Sequence, residues 1–268
     1  TEPGTYEVRG TVFEDEEGGI DVSEWTPLNF EGFYYDIDEG LQTESLEVID
    51  RSNRNIRDEG LEYTSDAVMV DFEHSEWGKY NVIGFMAEKY FAGYLESNNE
   101  NNTEFTDDDI SPLSNGQLSK VLIDSDERNS IYSGSSLILE DGYTLHVLEV
   151  DINGDNVFVE LRKGGERVEQ DIVSSGEEFV YEKNLGSTDD VPIIAVNFNE
   201  IFRGQETNAV FVEGIFQISD EYTEVDEGDN YGKMDVETVS SSKITMKNDD
   251  NINLDEGDTI NVMGNIKF

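Results

Sequence analysis

The sequence predicts an all-β protein made of two related β-sandwich domains that arose by internal duplication. Short runs of alternating apolar and polar residues recur along the whole chain, and Gly, Asn and Asp bound them. That pattern is typical of short strands joined by tight turns. Three segments of the first half also recur, in the same order, in the second half. Many short strands favour sandwiches, and a repeated order favours two copies of one β unit.

The predicted strands share a period of two residues in hydropathy, which places alternate side chains on opposite faces of a sheet. They are TYEVRGTVF (5–13), SLEVID (45–50), AVMVDF (67–72), YTLHVLEV (143–150), NVFVELRK (156–163), AVFVEGIFQI (209–218) and TINVMGNIKF (259–268). The segment GFMAEKYFAGYL (84–95) also fits a short amphipathic helix, but its glycines and aromatic residues favour a strand.

The internal duplication defines the predicted domains. Its matching segments are 34–48 with 148–161, 59–64 with 176–182, and 89–93 with 200–204. We therefore expect a first β-sandwich domain over residues 1–117, ending in an acidic, Asn-rich linker or exposed loop at about 96–117. The second β-sandwich domain covers 118–268. Two routes are open to the C-terminal strands: they complete the second sandwich or return to the first.

Two acidic runs occupy matching points of the duplication, namely Asp36-Ile37-Asp38-Glu39-Gly40 and Asp151-Ile152-Asn153-Gly154-Asp155. Each lies between two predicted strands and carries the Asn, Asp and Gly residues that tight turns require. An EF-hand loop needs glycine at its sixth position, whereas the second run has Gly154 at its fourth. We therefore interpret both runs as β-turns and predict no metal ligands.

The net charge of −45, from 62 acidic and 17 basic residues, limits the possible partners. Nucleic acids and anionic membrane surfaces attract basic patches, so neither is an expected partner. Self-repulsion predicts stabilisation by salt. Calcium, magnesium or sodium ions would bind loosely, for instance near Asp107–Asp109, Asp124 and Asp126, or Asp249–Asp255, although a solvated acidic surface explains these clusters more simply.

No catalytic or cofactor-binding residue is predicted, and we expect that the protein is not an enzyme. The chain has no cysteine, which excludes thiol catalysis and thiolate zinc sites. Its two histidines, His74 and His146, do not accompany a nucleophile-elbow motif, so both are expected to be structural or exposed. A secreted hydrolase would instead require two converging carboxylates in a cleft.

One glycosylation sequon, Asn101-Asn102-Thr103, lies in the predicted linker. A glycan on Asn101 would be sterically reasonable in an exposed loop of an extracellular protein. Asn101 is therefore the single candidate modification site.

Five strings together resemble the S-layer duplication domain of methanogenic archaea of the Methanosarcina type: GTYEVRG, NFEGFYYDID, YNVIGFMAEKYFAGY, GYTLHVLEVDINGDNVFVELRKGG and DEGDNYGKM. The resemblance implies a tandemly repeated structural protein, each module of which contains two β-sandwiches. It implies self-association with neighbouring modules into a porous, negatively charged two-dimensional lattice at the extracellular cell surface. It also implies a signal peptide and a membrane anchor outside this segment, so the membrane is contacted only through that anchor.

An alternative function is an extracellular β-sandwich binding module for carbohydrate or cations. Aromatic side chains such as Trp25, Phe33, Tyr34 and Trp77 would form its binding platform. Exposure of these rings would favour the binding module, whereas their burial in a core would count against it.

Overall fold

The computed structural model describes residues 7–13, 23–37, 40–95, 102–106, 108–151, 155–203 and 208–268, and this part of the chain is all-β. Its only helical elements are two short 3-10 turns, Ser75–Trp77 and Pro112–Asn115. Neither turn has the length that a membrane-spanning helix requires. The predicted fold class is therefore confirmed at the level of secondary structure.

The strands are numbered in chain order. The first ten are β1 (Ser23–Trp25), β2 (Tyr35–Asp36), β3 (Leu41–Gln42), β4 (Glu44–Val48), β5 (Arg51–Ser52), β6 (Asn55–Ile56), β7 (Leu61–Asp66), β8 (Val68–Asp71), β9 (Lys79–Phe85) and β10 (Glu88–Tyr94). The next nine are β11 (Gln117–Ser125), β12 (Asn129–Tyr132), β13 (Ser136–Ile138), β14 (Tyr143–Asp151), β15 (Asn156–Lys163), β16 (Glu166–Ser174), β17 (Glu177–Leu185), β18 (Thr188–Phe198) and β19 (Glu200–Arg203). The last eight are β20 (Asn208–Val212), β21 (Ile215–Glu224), β22 (Asn230–Tyr231), β23 (Met234–Ser240), β24 (Lys243–Asn248), β25 (Ile252–Asn253), β26 (Asn261–Met263) and β27 (Ile266–Lys267).

Four sheets carry most of these strands, and their pairings are antiparallel. A central seven-stranded sheet has the order β17-β18-β21-β11-β10-β9-β8, and a six-stranded sheet has the order β1-β4-β7-β24-β23-β22. A four-stranded sheet has the order β13-β14-β15-β16, and a three-stranded sheet has the order β12-β20-β19. Small ribbons, such as β5 with β6 and β25, complete the described structure.

Two hydrophobic cores lie on opposite faces of the central sheet. The first core, between the central and six-stranded sheets, includes Leu46, Tyr63, Ile83, Phe85 and Met246. The second core, between the central and four-stranded sheets, includes Tyr80, Val82, Leu145, Val159 and Phe216. Because neighbouring strand residues point to opposite faces, β9 contributes to both cores, with Val82 in one and Ile83 in the other.

The C-terminal strands return to the first half of the chain. Residues of β24 pair with β7, so that Met246 lies opposite Tyr63 and Lys247 opposite Glu62. These C-terminal residues therefore extend a sheet that begins in the first half of the chain. The central sheet also runs across residue 117, because β10 pairs with β11. The division into domains at that residue and the duplication stay predictions.

Two predicted strands are each broken by a glycine with positive φ, which side-chain-bearing residues rarely adopt. The run 209–218 divides into β20 and β21 at Gly214 (φ 92°), and the run 259–268 divides into β26 and β27 at Gly264 (φ 52°). The segment 84–95 is extended, as predicted, and forms a hairpin of β9 and β10 that turns at Met86 and Ala87.

Two other expectations are wrong in the described residues. Residues 7–13, the described part of the strand expected over 5–13, form none: Val8 and Val12 are exposed, while Phe13 packs edge-on against Trp25. The predicted exposed linker is partly buried: Thr103 donates a hydrogen bond to the Lys79 carbonyl, and Leu113 lies fully buried in the first core. Apolar residues scattered in an acidic segment were too few to predict this burial.

Candidate functional site

The described residues of the two acidic runs border hairpins, as predicted. Asp36 pairs with Leu41 across the hairpin of β2 and β3, and Asp151 pairs with Asn156 across the hairpin of β14 and β15. Residues 38, 39 and 152–154 lie outside the described residues. Asp36 and Asp151 therefore lie beside the turns of these two hairpins.

The described residues contain no group of three His, Asp or Glu side chains arranged to hold a metal ion. Asp124 serves a structural contact instead, accepting hydrogen bonds from the Tyr80 hydroxyl at 2.9 Å and the Glu73 backbone N–H at 3.0 Å. Burial raises its pKa. Asp107, like the glycosylation candidate Asn101, lies outside the described residues.

The four aromatic residues of the alternative binding platform do not form one surface. Phe33 and Trp77 are buried in different cores, while Trp25 and Tyr34 are half-buried. Trp77 packs edge-on against Phe72 and Phe105. This burial counts against a binding module that uses these four rings as its platform.

The structure places the two histidines in different surroundings. His74 is buried against Trp77 at a ring-centroid distance of 4.8 Å, and an added Cβ at Gly214 would lie 2.6 Å from its ring. His146 lies on the outer face of the four-stranded sheet, 2.8 Å from the Ser136 hydroxyl and 3.2 Å from that of Thr144.

A first buried polar cluster, the Glu44 cluster, joins the six-stranded sheet to the central sheet. Glu44 is 2 % exposed and accepts hydrogen bonds from the Tyr34 N–H (2.7 Å), the Tyr63 hydroxyl (2.8 Å) and the Ala87 N–H (3.2 Å). Burial raises the pKa of Glu44 despite these donors. All three of these hydrogen-bond donors are uncharged.

The two sheets approach closely beside this cluster. The Gly84 N–H donates to the Thr43 hydroxyl at 2.8 Å, and the Ser65 hydroxyl donates to the Gly84 carbonyl. A Cβ at Gly84 would lie 2.5 Å from the Thr43 hydroxyl oxygen, so only glycine fits.

A second cluster, the Asp220 cluster, joins the four-stranded sheet to the central sheet. The Asp220 side chain is 2 % exposed and accepts hydrogen bonds from Lys163 Nζ (2.5 and 2.7 Å), Lys183 Nζ (2.5 Å) and the Tyr143 hydroxyl (2.9 Å). Burial acts to raise its pKa, but the two ammonium groups and the hydroxyl outweigh burial and lower the pKa to about 2.

The outer face of the six-stranded sheet carries an acidic row. Glu24 lies opposite Glu47, Glu47 opposite Glu62, and Lys247 between Glu62 and Asp235. Lys247 Nζ lies 3.7 Å from Glu62. Like charges directly opposite each other on neighbouring strands repel, so this face is strongly negative.

The outer face of the three-stranded sheet is different, and we call it the aromatic patch: Tyr132, Phe202, Phe211, Arg128 and Glu200. Tyr132 lies opposite Ala209, which lies opposite Phe202 in the next strand. Tyr132 is 54 % exposed and Phe202 is 52 % exposed. Arg128 covers the Phe211 ring at 4.3 Å and pairs with Glu200 at 2.8 Å, so the formal charge of the patch is zero.

No pattern in the sequence predicts the aromatic patch. Single exposed aromatic residues look the same as core residues in an alternating strand. Phe211 lies in a predicted strand, and Phe202 lies in a segment identified only as part of the duplication. These aromatic residues share the outward face of three strands only because of how the strands pair. That register cannot be read from the sequence.

Comparison with known proteins gives one consistent result. The sequence profile of the S-layer protein family matches residues 14–268. The chain is 32 % identical over 275 aligned residues to the "Major S-layer protein" of Methanosarcina mazei, covering 98 % of this chain and 37 % of that protein. It is 31 % identical to the proteins of the same name from Methanosarcina barkeri and Methanosarcina acetivorans, covering 95 % of this chain and 36 % of each. The chain thus spans little more than a third of these relatives.

Proposed function

Because the chain belongs to the S-layer protein family, we propose that it is a structural building block of a two-dimensional lattice at the cell surface, with no catalytic role. S-layer proteins form the extracellular surface layer, and the function follows from that membership. The match of the family profile to residues 14–268 is the observation that carries the proposal.

The three-layer construction supports a mechanical role. The central sheet has a core on each face, and a buried carboxylate ties each outer sheet to it: Glu44 accepts from the Ala87 N–H in the turn between β9 and β10, and Asp220 accepts from Lys163 of β15. Such contacts resist sliding of one layer over another, because sliding would leave buried donors without acceptors. A rigid slab is suited to a layer that surrounds a cell.

The charge supports a porous lattice that discriminates between ions. A chain with a net charge of −45 would surround any opening with negative potential, which favours small cations and repels anions. Calcium, magnesium or sodium would act as diffuse counterions to surfaces such as the acidic row. Measurement of cation and anion flux through reconstituted sheets tests this selectivity, and equal fluxes would contradict it.

Three finer points accompany the proposal. The two-sandwich duplication predicted from the sequence would provide the repeated unit of such a module. Neighbouring modules of the same family would be its partners. Asn101 would carry a glycan on the outer surface. Mass spectrometry of the protein from its source organism tests the glycan directly.

Electron microscopy of the purified parent protein tests the main proposal. We expect ordered sheets to form as the calcium concentration rises, because divalent cations screen the repulsion between acidic copies. Monodisperse particles of the intact parent at every calcium concentration would contradict a lattice role.

A further inference from the structure

The aromatic patch is an uncharged surface on a chain with 62 acidic and 17 basic residues. Its two outer rings, Tyr132 and Phe202, are each about half exposed, and its one acidic residue, Glu200, is neutralised by Arg128. Exposed apolar surface of this kind indicates a contact site. Aromatic residues and arginine are also the side chains most enriched where proteins bind each other.

The charge distribution indicates which molecule the patch would contact. A basic partner would gain more energy at the acidic row, where Glu24, Glu47 and Glu62 lie side by side. A neutral patch is instead the place where a molecule of like charge can approach with the least repulsion. A second copy of this chain is such a molecule.

We propose that two copies of this chain meet through their aromatic patches about a two-fold axis, a proposal that rests on the lattice function above. In a two-fold contact the same patch is used on both copies, so Arg128 of each can pair with Glu200 of the other. Tyr132 and Phe202 lie at the two ends of one row across three strands, so a second copy in reverse orientation sets each Tyr132 against a Phe202. The contact gains aromatic packing and exchanges ion pairs without adding net charge.

The edge strand β16 of the four-stranded sheet is a poorer candidate. The outer edge of β16 is open. Its Glu169 and Asp171 lie opposite Leu161 and Val159, two buried residues of β15, and so are on the core-facing side of the sheet. Charged residues that point inward on an outer strand disfavour pairing with another strand. The β16 edge is therefore protected against association, whereas the aromatic patch carries no such device.

Cysteine crosslinking tests the contact, since the natural chain has no cysteine to interfere. Ser130→Cys places one thiol on the patch face, because Ser130 is exposed and lies opposite Phe211. Ser241→Cys is the matched control, an exposed serine beside the turn between β23 and β24. With a short bis-maleimide at equal protein concentration, we expect several-fold more crosslinked dimer from Ser130→Cys. Equal yields from the two variants would overturn the proposal.

A second pair of measurements separates this contact from the lattice function. Adding Tyr132→Glu and Phe202→Ser to Ser130→Cys should reduce the dimer to the control level, while circular dichroism confirms that the variant is folded. Raising NaCl should increase the yield from Ser130→Cys, because it screens the repulsion between copies. Ordered sheets from a parent protein with the disrupted patch would overturn the contact and leave the lattice function intact. Patch-dependent dimers without sheets would support the contact and count against the lattice.

Discussion

Glu44 and Asp220 perform the same task in two places, yet the protein treats their charges in opposite ways. Each is a buried carboxylate that joins an outer sheet to the central sheet. Glu44 is bound by two backbone N–H groups and a tyrosine hydroxyl, and burial raises its pKa. Asp220 is bound by two lysines and a tyrosine hydroxyl, and its pKa falls to about 2 although burial opposes that fall.

The hydrogen-bonding partners of a buried carboxylate, more than its depth, therefore decide its preferred protonation state. Neutral donors compensate part of the cost of removing a charge from water, whereas two nearby ammonium groups compensate more than all of it. The first core therefore contains a carboxylate whose pKa lies above its ordinary value. The second is bordered by one that keeps its charge far into the acid range.

The largest expected effect is that of Glu44→Ala. The substitution leaves the Tyr34 N–H, the Ala87 N–H and the Tyr63 hydroxyl buried without their acceptor, so we expect unfolding free energy to fall by about 3–5 kcal/mol. Urea denaturation followed by tryptophan fluorescence measures it. Glu47→Ala, on the opposite face of the same strand, is the control. A loss no larger than that of the control would contradict the bonding described for Glu44.

Asp220→Asn should have a smaller effect. Lys163 and Lys183 are 37 % and 41 % exposed, so both ammonium groups can turn to water once the carboxylate is gone. We expect a loss of about 1–3 kcal/mol in the same denaturation measurement. Glu221→Gln, at the exposed neighbouring residue, provides the matched control. An equal or greater loss than that of Glu44→Ala would reverse the ranking of the two clusters.

The pH dependence should separate the clusters by sign. Asp220 has a folded pKa of about 2 against an ordinary value of 3.8, so its contribution is present above pH 3.8 and is lost as pH falls towards 2. We expect the stability difference between wild type and Asp220→Asn to shrink by at most about 2 kcal/mol over that range, since the half-exposed lysines are screened by solvent.

Glu44 should show the opposite slope. Its folded pKa is raised above 4.5, so the folded state binds the proton more tightly than the unfolded state. Stability is then highest below pH 4.5 and falls as pH rises through the folded pKa. The difference between wild type and Glu44→Gln should therefore decrease as pH rises from 4.5. If both stability differences changed with pH in the same direction, the opposite pKa shifts of Glu44 and Asp220 would be contradicted.

Salt should give the smallest effect and the sharpest test of partner charge. The Asp220 cluster depends on ammonium groups that reach solvent, so raising NaCl from about 0.1 to 1 M should reduce the cost of Asp220→Asn by about 0.5 kcal/mol. The cost of Glu44→Ala should not change, because its partners are neutral. Both variants are measured relative to wild type in the same salt, because the whole chain is itself expected to gain stability. Equal salt responses would show that charge does not distinguish the clusters.

Local patterns in the sequence predicted some of the strands, missed others such as β11, β16 and β18, and did not indicate which strands pair. The alternation in YTLHVLEV and NVFVELRK predicted β14 and β15 because each has one face on a core. The same alternation at Val8 and Val12 predicted a strand that the described residues do not form. Pairing is a long-range property, so no local pattern around Lys243–Asn248 indicated that this strand would lie against β7.

The candidate surface was less predictable than the fold. The acidic turns at Asp36 and Asp151 were recognised because turn chemistry is local. Burial of Phe33 and Trp77, and exposure of Tyr132 and Phe202, depend on which layers cover each strand. Composition predicted a strongly negative protein but not the neutral aromatic patch, because neutrality there depends on one ion pair between residues 128 and 200.

The pairing of β7 with β24 has a consequence for how the chain is made. Met246, which lies opposite Tyr63 in the sheet, is synthesised 183 residues later (246 − 63). Until then Leu46, Tyr63 and their neighbours lack the strand that completes their layer, and such contacts between distant residues slow folding. The abundant negative charge would keep partly folded copies of the chain from associating. Acidity would therefore also favour solubility during synthesis and export.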